Sequence, residues 1–352
     1  MHHIVEGGIT LDTTLRKARK SRGESMKFLY FGDPHIRGTN PRNRKDNYKE
    51  ALIAKFREIF ALAKYKGVTA IIQPGDTFDR PEVTTSVLLE FAKVLKESPV
   101  PIYTTAGNHD IYGYNLATYE RTSLRVLELI VPQLTVINDP GQAHMFHQDG
   151  NHVQLTFTPY SDQIDKAGYG YSPEVTEDYE STKIHVAHGM LLDHDPPFDR
   201  YTKVQDVKTD ADLVLCGHDH TGFGVYERSD GKVFANIGSI TRLSASEAEI
   251  NRPIQVLLID VKSPGVFDLE RIPLQSAKPG EEVLDRSRIE AEKKRAYAME
   301  EFASLIQTET GEDVLVDINT IVESIAETES INSDVVEIAL TKIAEAKEGL
   351  RT

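Results

Sequence analysis

Five short stretches of this chain place acids, an amide and imidazoles where a strand would end. They are Gly32-Asp33-Pro34-His35, Gly75-Asp76-Thr77-Phe78-Asp79, Gly107-Asn108-His109-Asp110, Ala187-His188-Gly189 and Gly217-His218-Asp219-His220. Taking one donor per position gives Asp33, Asp76, Asn108, His35, His188, His218 and His220. Oxygen mixed with imidazole, and no thiolate, suits a borderline divalent ion such as Mn²⁺, Fe²⁺ or Zn²⁺. Seven ligands exceed the needs of one tetrahedral ion; with Asp76 as a shared, bridging carboxylate they suit two. A pair of ions roughly 3.5–4 Å apart clamps the attacking and leaving oxygens of an in-line displacement at phosphorus. Water held between them would be the nucleophile, its pKa lowered by their charge. With Asn108 turned to the metal, the adjacent His109 is left to stabilise transition-state charge and protonate the departing oxygen.

Taken singly, each stretch is weak. Asp-x-His usually marks a surface turn, and Gly-Asn-His-Asp also makes a good loop. Gly-His-x-His after an apolar run is more specific, because imidazoles two residues apart face the same side of an extended segment. All five in this order, each at a strand end, carry the reading. His144, His147, His152, His185 and His194 have no such context and read as ordinary polar or core histidines. Asp79, Asp110 and Asp219 read as caps or as groups that orient the ligands.

These stretches need strands to position them. Met26–Phe31 starts a strand that delivers Asp33, and Val68–Ile72 delivers Asp76, with Gly75 giving the backbone its tight turn. Ile102–Thr105 delivers Asn108. Between them, Leu52, Phe56, Ile59, Phe60 and Ala63 share one face of a helix over about 47–66. A second helix opens at Pro81 and closes at Ser98-Pro99, and a third covers roughly 117–130. Strand, site and helix repeated three times predict parallel strands with their sites at one edge of the sheet. From Leu134 the strands shorten: Leu134–Ile137, Val153–Phe157, Lys183–Ala187 and Leu213–Cys216, with a polar loop over 160–182. Val225–Arg228, Val233–Ile237, Ile254–Val261 and Phe267–Ile272 read as a mostly antiparallel second sheet. The expected fold is α/β: two sheets packed as a sandwich and flanked by helices.

The 352 residues allow a large domain and a smaller region. Residues 1–25 read as an N-terminal extension with a basic cluster at Arg16, Lys17, Arg19, Lys20 and Arg22, taken as a solvated arm. Residues 26–275 read as the main domain and 276–352 as an acidic helical region, with apolar stripes at Ile318, Ile321, Val322 and Ile325 and at Val335, Ala339, Leu340 and Ile343. From Ser276 onward there are 9 Lys/Arg against 18 Asp/Glu, so most of the net charge of −15 lies in that tail. This argues against a protein that coats nucleic acid electrostatically, yet not against an enzyme acting on it. No run reaches the ~20 apolar residues of a membrane span. The single cysteine, Cys216, excludes an internal disulfide framework and reads as a buried, inert thiol. With no apolar signal segment, these features point to the cytoplasm. The loop after His35 carries Arg37, Arg42, Arg44 and Lys45, candidates for contact with DNA.

Asp33-x-His35, Gly75-Asp76-x-x-Asp79, Gly107-Asn108-His109-Asp110, His188-Gly189 and Gly217-His218-x-His220 resemble the calcineurin-like metallophosphoesterase superfamily over about residues 26–275. Gly75-Asp76-Thr77-Phe78-Asp79-Arg80-Pro81, Gly238-Ser239 with Arg242-Leu243, and Glu270-Arg271-Ile272-Pro273-Leu274 look like the SbcD-type nucleases and their phage recombination relatives. The resemblance implies that Asp33, His35 and His220 hold one metal and that Asn108, His188 and His218 hold the other. Asp76 would bridge them, and His109 would be the catalytic imidazole. It further implies a Mn²⁺-dependent exo- and endonuclease that dimerises and grips an SbcC-type coiled-coil ATPase through its C-terminal helices. The alternative is a stand-alone phosphodiesterase or phosphatase acting on a nucleotide or small ester with the same site. A non-catalytic scaffold on this fold would have lost ligands or the catalytic imidazole, and here none is missing.

Overall fold

The computed structural model describes residues 25–176 and 179–287, with scattered positions from 289 to 342. It divides the chain into two compact units, Met1–Val283 and Leu284–Thr352. In chain order the first unit contains β1 (Met26–Tyr30), α1 (Tyr48–Lys66), β2 (Ala70–Ile72), α2 (Thr85–Leu95), β3 (Ile102–Thr104), α3 (Ser123–Ile130) and β4 (Leu134–Val136). There follow β5 (Ala143–Gln148), β6 (Asn151–Thr158), β7 (Thr182–Gly189), β8 (Leu191–Leu192), β9 (Thr202–Lys203), β10 (Leu213–His218), β11 (Gly224–Glu227) and β12 (Val233–Asn236). The unit closes with α4 (Glu247–Asn251), β13 (Gln255–Ser263), β14 (Val266–Pro273) and α5 (Gly280–Val283).

The first sheet has the order β14-β13-β1-β2-β3-β4, and β1 through β4 are parallel, as the strand–site–helix repeat requires. Helix α1 is fixed at both ends. The Asn47 side chain accepts a hydrogen bond from the Glu50 N–H, and Gly67, at φ 66°, donates its N–H back to Ala63. Its buried face includes Leu52, Phe56, Ile59, Phe60 and Ala63, which pack with α2 against the outer face of this sheet. Helix α2 begins at Thr85 rather than at Pro81, whose carbonyl accepts from Ser123 N–H in the preceding loop. The expected third helix is divided by Thr122, whose backbone is extended (φ −99°, ψ 162°), into a 3₁₀ stretch Leu116–Arg121 and α3.

The second sheet has the order β11-β12-β10-β7-β6-β5. Its centre, β6-β7-β10-β12, is parallel, and only the edge pairs are antiparallel. Here the structure corrects the expectation of a mostly antiparallel second sheet drawn from the last four strand segments. The β11–β12 hairpin does lie on it, but the β13–β14 hairpin joins the first sheet, with β13 antiparallel to β1. The reason is burial on both sides. Val256 and Leu258 pack under the helices, while Leu257, Ile259 and Val261 enter the core between the sheets.

In that inter-sheet core Phe28, Tyr30, Ile72 and Ile259 meet Leu155, Phe157, Val186 and Leu215. Helices cover the outer face of the first sheet. The outer face of the second is covered by irregular chain: Tyr171, Val204 and Val207 close over Val214, Cys216 and Phe234. The described positions of the second unit from Ser287 to Lys342 are helical. The basic cluster at Arg16–Arg22 and most of the two apolar stripes lie outside the described residues.

Candidate metal centre

β1, β2 and β3 end at one edge of the first sheet, and β7 and β10, parallel to each other, end in Gly189 and His218. The chain beyond each end is tightly bent. His35 (φ 46°), Asp76 (φ 51°) and His218 (φ 79°) all take the left-handed backbone conformation. That conformation is uncommon without glycine and marks strain held in place by surrounding structure. At Gly75, with φ 117°, a Cβ would stand 2.6 Å from His188 Nδ1 and 2.9 Å from the Gly107 nitrogen. Only glycine lets these two loops close.

Two groups of donors result. Asp33, His35, Asp76 and His220 converge, each with a ligand atom within 4.8 Å of the others, and Asp76, His188 and His218 do the same. Asp76 belongs to both: its Oδ2 is 3.7 Å from His35 Nε2 and 3.4 Å from His188 Nε2. Asn108 Oδ1 is 3.0 Å from His188 Nε2, which places the asparagine in the second group. All seven expected ligand side chains thus lie together. Asp33, His35, Asp76 and His188 are buried, while Asn108, His109, His218 and His220 are half-buried toward solvent.

Whether divalent cations fit can be judged from the polar atoms themselves. Asp33 Oδ1, His35 Nδ1 and Asp76 Oδ2 are buried and have no hydrogen-bond partner. An unpaired buried carboxylate oxygen is costly, and a cation removes the cost. His35 Nε2 and His220 Nε2 face each other at 2.8 Å. The Pro74 carbonyl can only accept, so His188 Nδ1 (3.0 Å away) carries a hydrogen, and Nε2 faces Asn108 Oδ1 and Asp76, where it would offer a lone pair to a cation once its own proton has left. Lone pairs converging on one point are what a metal satisfies, so the residues fit.

The electrostatics agree. Burial disfavours charge on His188, but Asp76 and then Asp33 outweigh it and push its pKa up to about 9, so that a proton stands in for a cation. Burial would raise the Asp76 carboxyl, yet His188 and His35 hold it well below the usual carboxylate range. Burial raises Asp33 and depresses His218 to about 3.

Other groups hold the donors in place. Asp110 accepts hydrogen bonds from the backbone N–H groups of Thr77 (3.1 Å), Phe78 (2.9 Å) and Gly107 (2.9 Å), lacing the Asp76 loop to the Asn108 loop. Burial and the neighbouring Asp76 raise its pKa to about 7. His109 donates its backbone N–H to Asp76 Oδ1 (2.8 Å) and its ring Nδ1–H to the Asp79 carbonyl (2.8 Å), which leaves Nε2 free to handle a proton. Asp219 accepts from Thr221 and Gly222 and closes the turn after His218.

The basic loop separates on inspection. Arg42 and Lys45 are exposed, though Lys45 Nζ also donates to the Glu281 carbonyl at 3.0 Å. Arg37 pairs with Asp79 at 3.2 Å. Arg44 faces inward: its side chain is 2% exposed, it makes a two-pronged pair with Asp46 at 2.7 Å, and it lies over Tyr48. Sequence reasoning missed three supports. Tyr48 donates its hydroxyl to the His35 carbonyl (2.8 Å), Ser239 Oγ donates to the Asp33 carbonyl (2.6 Å), and Arg252 donates to the Ser239 carbonyl (2.6 Å). The Gly-Ser after an apolar strand was the available signal for Ser239. Tyr160, whose ring centroid is 5.6 Å from that of His218, gave no signal beyond its own aromaticity. His144, His147, His152, His185 and His194 bond elsewhere, to Tyr103, to each other, to Thr156 or to Asp193. Cys216 is buried, and burial pushes its thiol up.

Comparison with known proteins bears on this geometry. Residues 26–222 match the family model described as calcineurin-like phosphoesterase. The chain is similar to the DNA double-strand break repair protein Mre11 of Methanococcus maripaludis, with 24% identity over 237 residues, 64% of this chain. It spans 59% of that relative's length. Among solved structures it is similar to TT1561 of Thermus thermophilus (13% identity, TM-score 0.40, covering 70% of this chain and 99% of that one). It is also similar to the NAD nucleotidase of Haemophilus influenzae (14% identity, TM-score 0.41, covering 71% and 50%).

Proposed function

We propose, from the premise that the chain belongs to the calcineurin-like phosphoesterase family, that it is a DNA nuclease hydrolysing phosphodiester bonds with two divalent ions, Mn²⁺ in the first instance. The observation that carries the reading is the shared carboxylate. Asp76 stands in both donor groups with one buried oxygen unpartnered, and its other oxygen accepts the His109 backbone N–H. Asp33, His35 and His220 would hold one ion and Asn108, His188 and His218 the other. Divalent ions, when bound, stabilise charge on a phosphoryl group and lower the pKa of the attacking water. The remaining work falls to this chain's own residues. Asp110 and Gly75 keep the Asp76 and Asn108 loops in register. The Asp79 carbonyl fixes the His109 tautomer, so that Nε2 faces outward to hold a proton for the departing oxygen. DNA is favoured as substrate by the likeness to a DNA repair protein and by the exposed cations Arg42 and Lys45 on the loop following His35. A homodimer and an SbcC-type coiled-coil ATPase, met by the helical region after Val283, belong to the same proposal and rest on the SbcD-type motifs Gly75–Pro81, Gly238-Ser239 and Glu270–Leu274.

Purified protein incubated with Mn²⁺ and linear double-stranded DNA should degrade it. EDTA and His109→Ala should each abolish the activity. Intact DNA alongside rapid hydrolysis of a small phosphodiester would instead make the chain a stand-alone phosphodiesterase.

A further inference from the structure

The aromatic surface beside the His188/His218 side of the site is unused by the chemistry above. Tyr160 follows β6, and its ring centroid lies 5.6 Å from that of His218 and 6.2 Å from that of His188. The Tyr160 N–H donates to the Ala106 carbonyl at 2.9 Å, which ties it to the loop that carries Asn108. The Arg200 guanidinium sits 5.5 Å from its ring centre and is itself held by the Ser161 and Ile164 carbonyls. Tyr114 rests against Tyr160 with centroids 5.7 Å apart and ring planes tilted by 53°. Unlike Tyr160, Tyr114 is 59% exposed.

One exposed aromatic is ordinary on a protein surface. The backbone beneath this one is not. Gly113 and Tyr114 take φ values of 58° and 59° in succession, a left-handed pair that costs free energy for a bulky side chain. The segment is locked by bonds from the Asn115 N–H to the Tyr112 carbonyl (3.1 Å) and from the Tyr112 N–H to Thr118 Oγ1 (2.9 Å). The strained turn holds an open aromatic face on a ring series that leads back to the proposed ligands.

We propose that Tyr114, seated on Tyr160, is a stacking face for a nucleobase of the nucleotide whose phosphate enters the Asp76 site, and so determines specificity for nucleoside-bearing phosphodiesters. This rests on the phosphodiesterase reading above. Stacking on an aromatic ring tolerates any base, because every base has a π-face. It also requires a base that has left its helical stack, so frayed or single-stranded ends are the form of DNA such a face receives.

The test uses the full chain with Mn²⁺ and two chromogenic esters, thymidine 5′-(p-nitrophenyl phosphate) and methyl p-nitrophenyl phosphate, the second having no base. The readout is the ratio of their kcat/KM values. Wild type should favour the thymidine ester. In Tyr114→Ala the ratio should fall about tenfold, through KM of the thymidine ester, which lies within the range for one stacked base. Tyr114→Phe should retain it. An unchanged ratio in Tyr114→Ala, or no preference in wild type, overturns the stacking face and leaves the phosphodiesterase reading standing. Hydrolysis of neither ester and of no DNA overturns both.

Discussion

Asp110 is the residue whose alteration should separate the positioning of the site from its chemistry. Its Oδ2 accepts from the N–H groups of Thr77 and Gly107, and its Oδ1 from that of Phe78. Asp110→Asn keeps the shape but replaces one acceptor oxygen with a donor. Whichever way the amide turns, at least one buried N–H loses its acceptor and meets another N–H: Phe78 alone in one orientation, Thr77 and Gly107 in the other. The better orientation abandons only Phe78, and one stranded buried donor costs about 1–3 kcal/mol. The same bonds fasten the Asp76 loop to the Asn108 loop, so the proposed ligands lose their common register. A lost positioning partner of this kind lowers metal affinity by roughly 10–100-fold. Urea unfolding in EDTA would read the first quantity, and calorimetric titration with Mn²⁺ the second. Asp219→Asn makes a suitable comparison, because Asp219 closes only a partly exposed turn. Wild-type Mn²⁺ affinity in Asp110→Asn would refute the argument that Asp110 sets the spacing of the two loops.

His109→Ala should retain Mn²⁺ binding while losing turnover by about 10²–10⁴, the usual cost of a lost acid–base group; near-normal turnover would remove His109 from the mechanism. Lys55 is buried, donates to the Ile240 carbonyl at 2.7 Å, and has its pKa lowered to about 7 by burial and then by Arg44, Arg242 and Arg252. The folded state therefore binds fewer protons there than the unfolded state between pH 7 and its ordinary value of 10.5, and stability should rise with pH across that window. From pH 7 to 8.5 the rise due to Lys55 is about 2 kcal/mol, read as the difference in slope between wild type and Lys55→Met; identical slopes would refute it. Removing residues 284–352 should abolish capture of an SbcC-type ATPase while Mn²⁺-dependent hydrolysis of a small phosphodiester persists, and unchanged capture would assign those residues to the fold alone.

The candidate site was legible in the sequence because each proposed donor sits at a punctuated strand end. An apolar run, a glycine and a short polar stretch fix both where the chain stops being buried and which side chains stand at the rim. Asp76 and Gly75 show this at closest range, where the turn and the carboxylate are adjacent residues. Partnership across the chain was not legible in the same way. Ile254–Val261 reads as a strand in any context, but nothing within it says that it pairs with β1, more than two hundred residues earlier. What it did carry was an unbroken Val-Leu-Leu-Ile run, the mark of a strand buried on both faces. That run suits a place inside the sheet beside β1 better than the hairpin-like alternation of a solvated sheet. Direction was equally silent for Arg44, whose proximity to His35 in the chain suggested contact with nucleic acid. Asp46 and Tyr48, two and four residues on, turn it inward, because a paired guanidinium over an aromatic ring is already satisfied. A cation beside a site is therefore evidence for a ligand only after its neighbours in the chain have been asked whether they hold it. By that criterion Arg42, which is exposed and has no such holding contact among the described residues, is the cation of this loop that best fits a role toward a phosphate backbone.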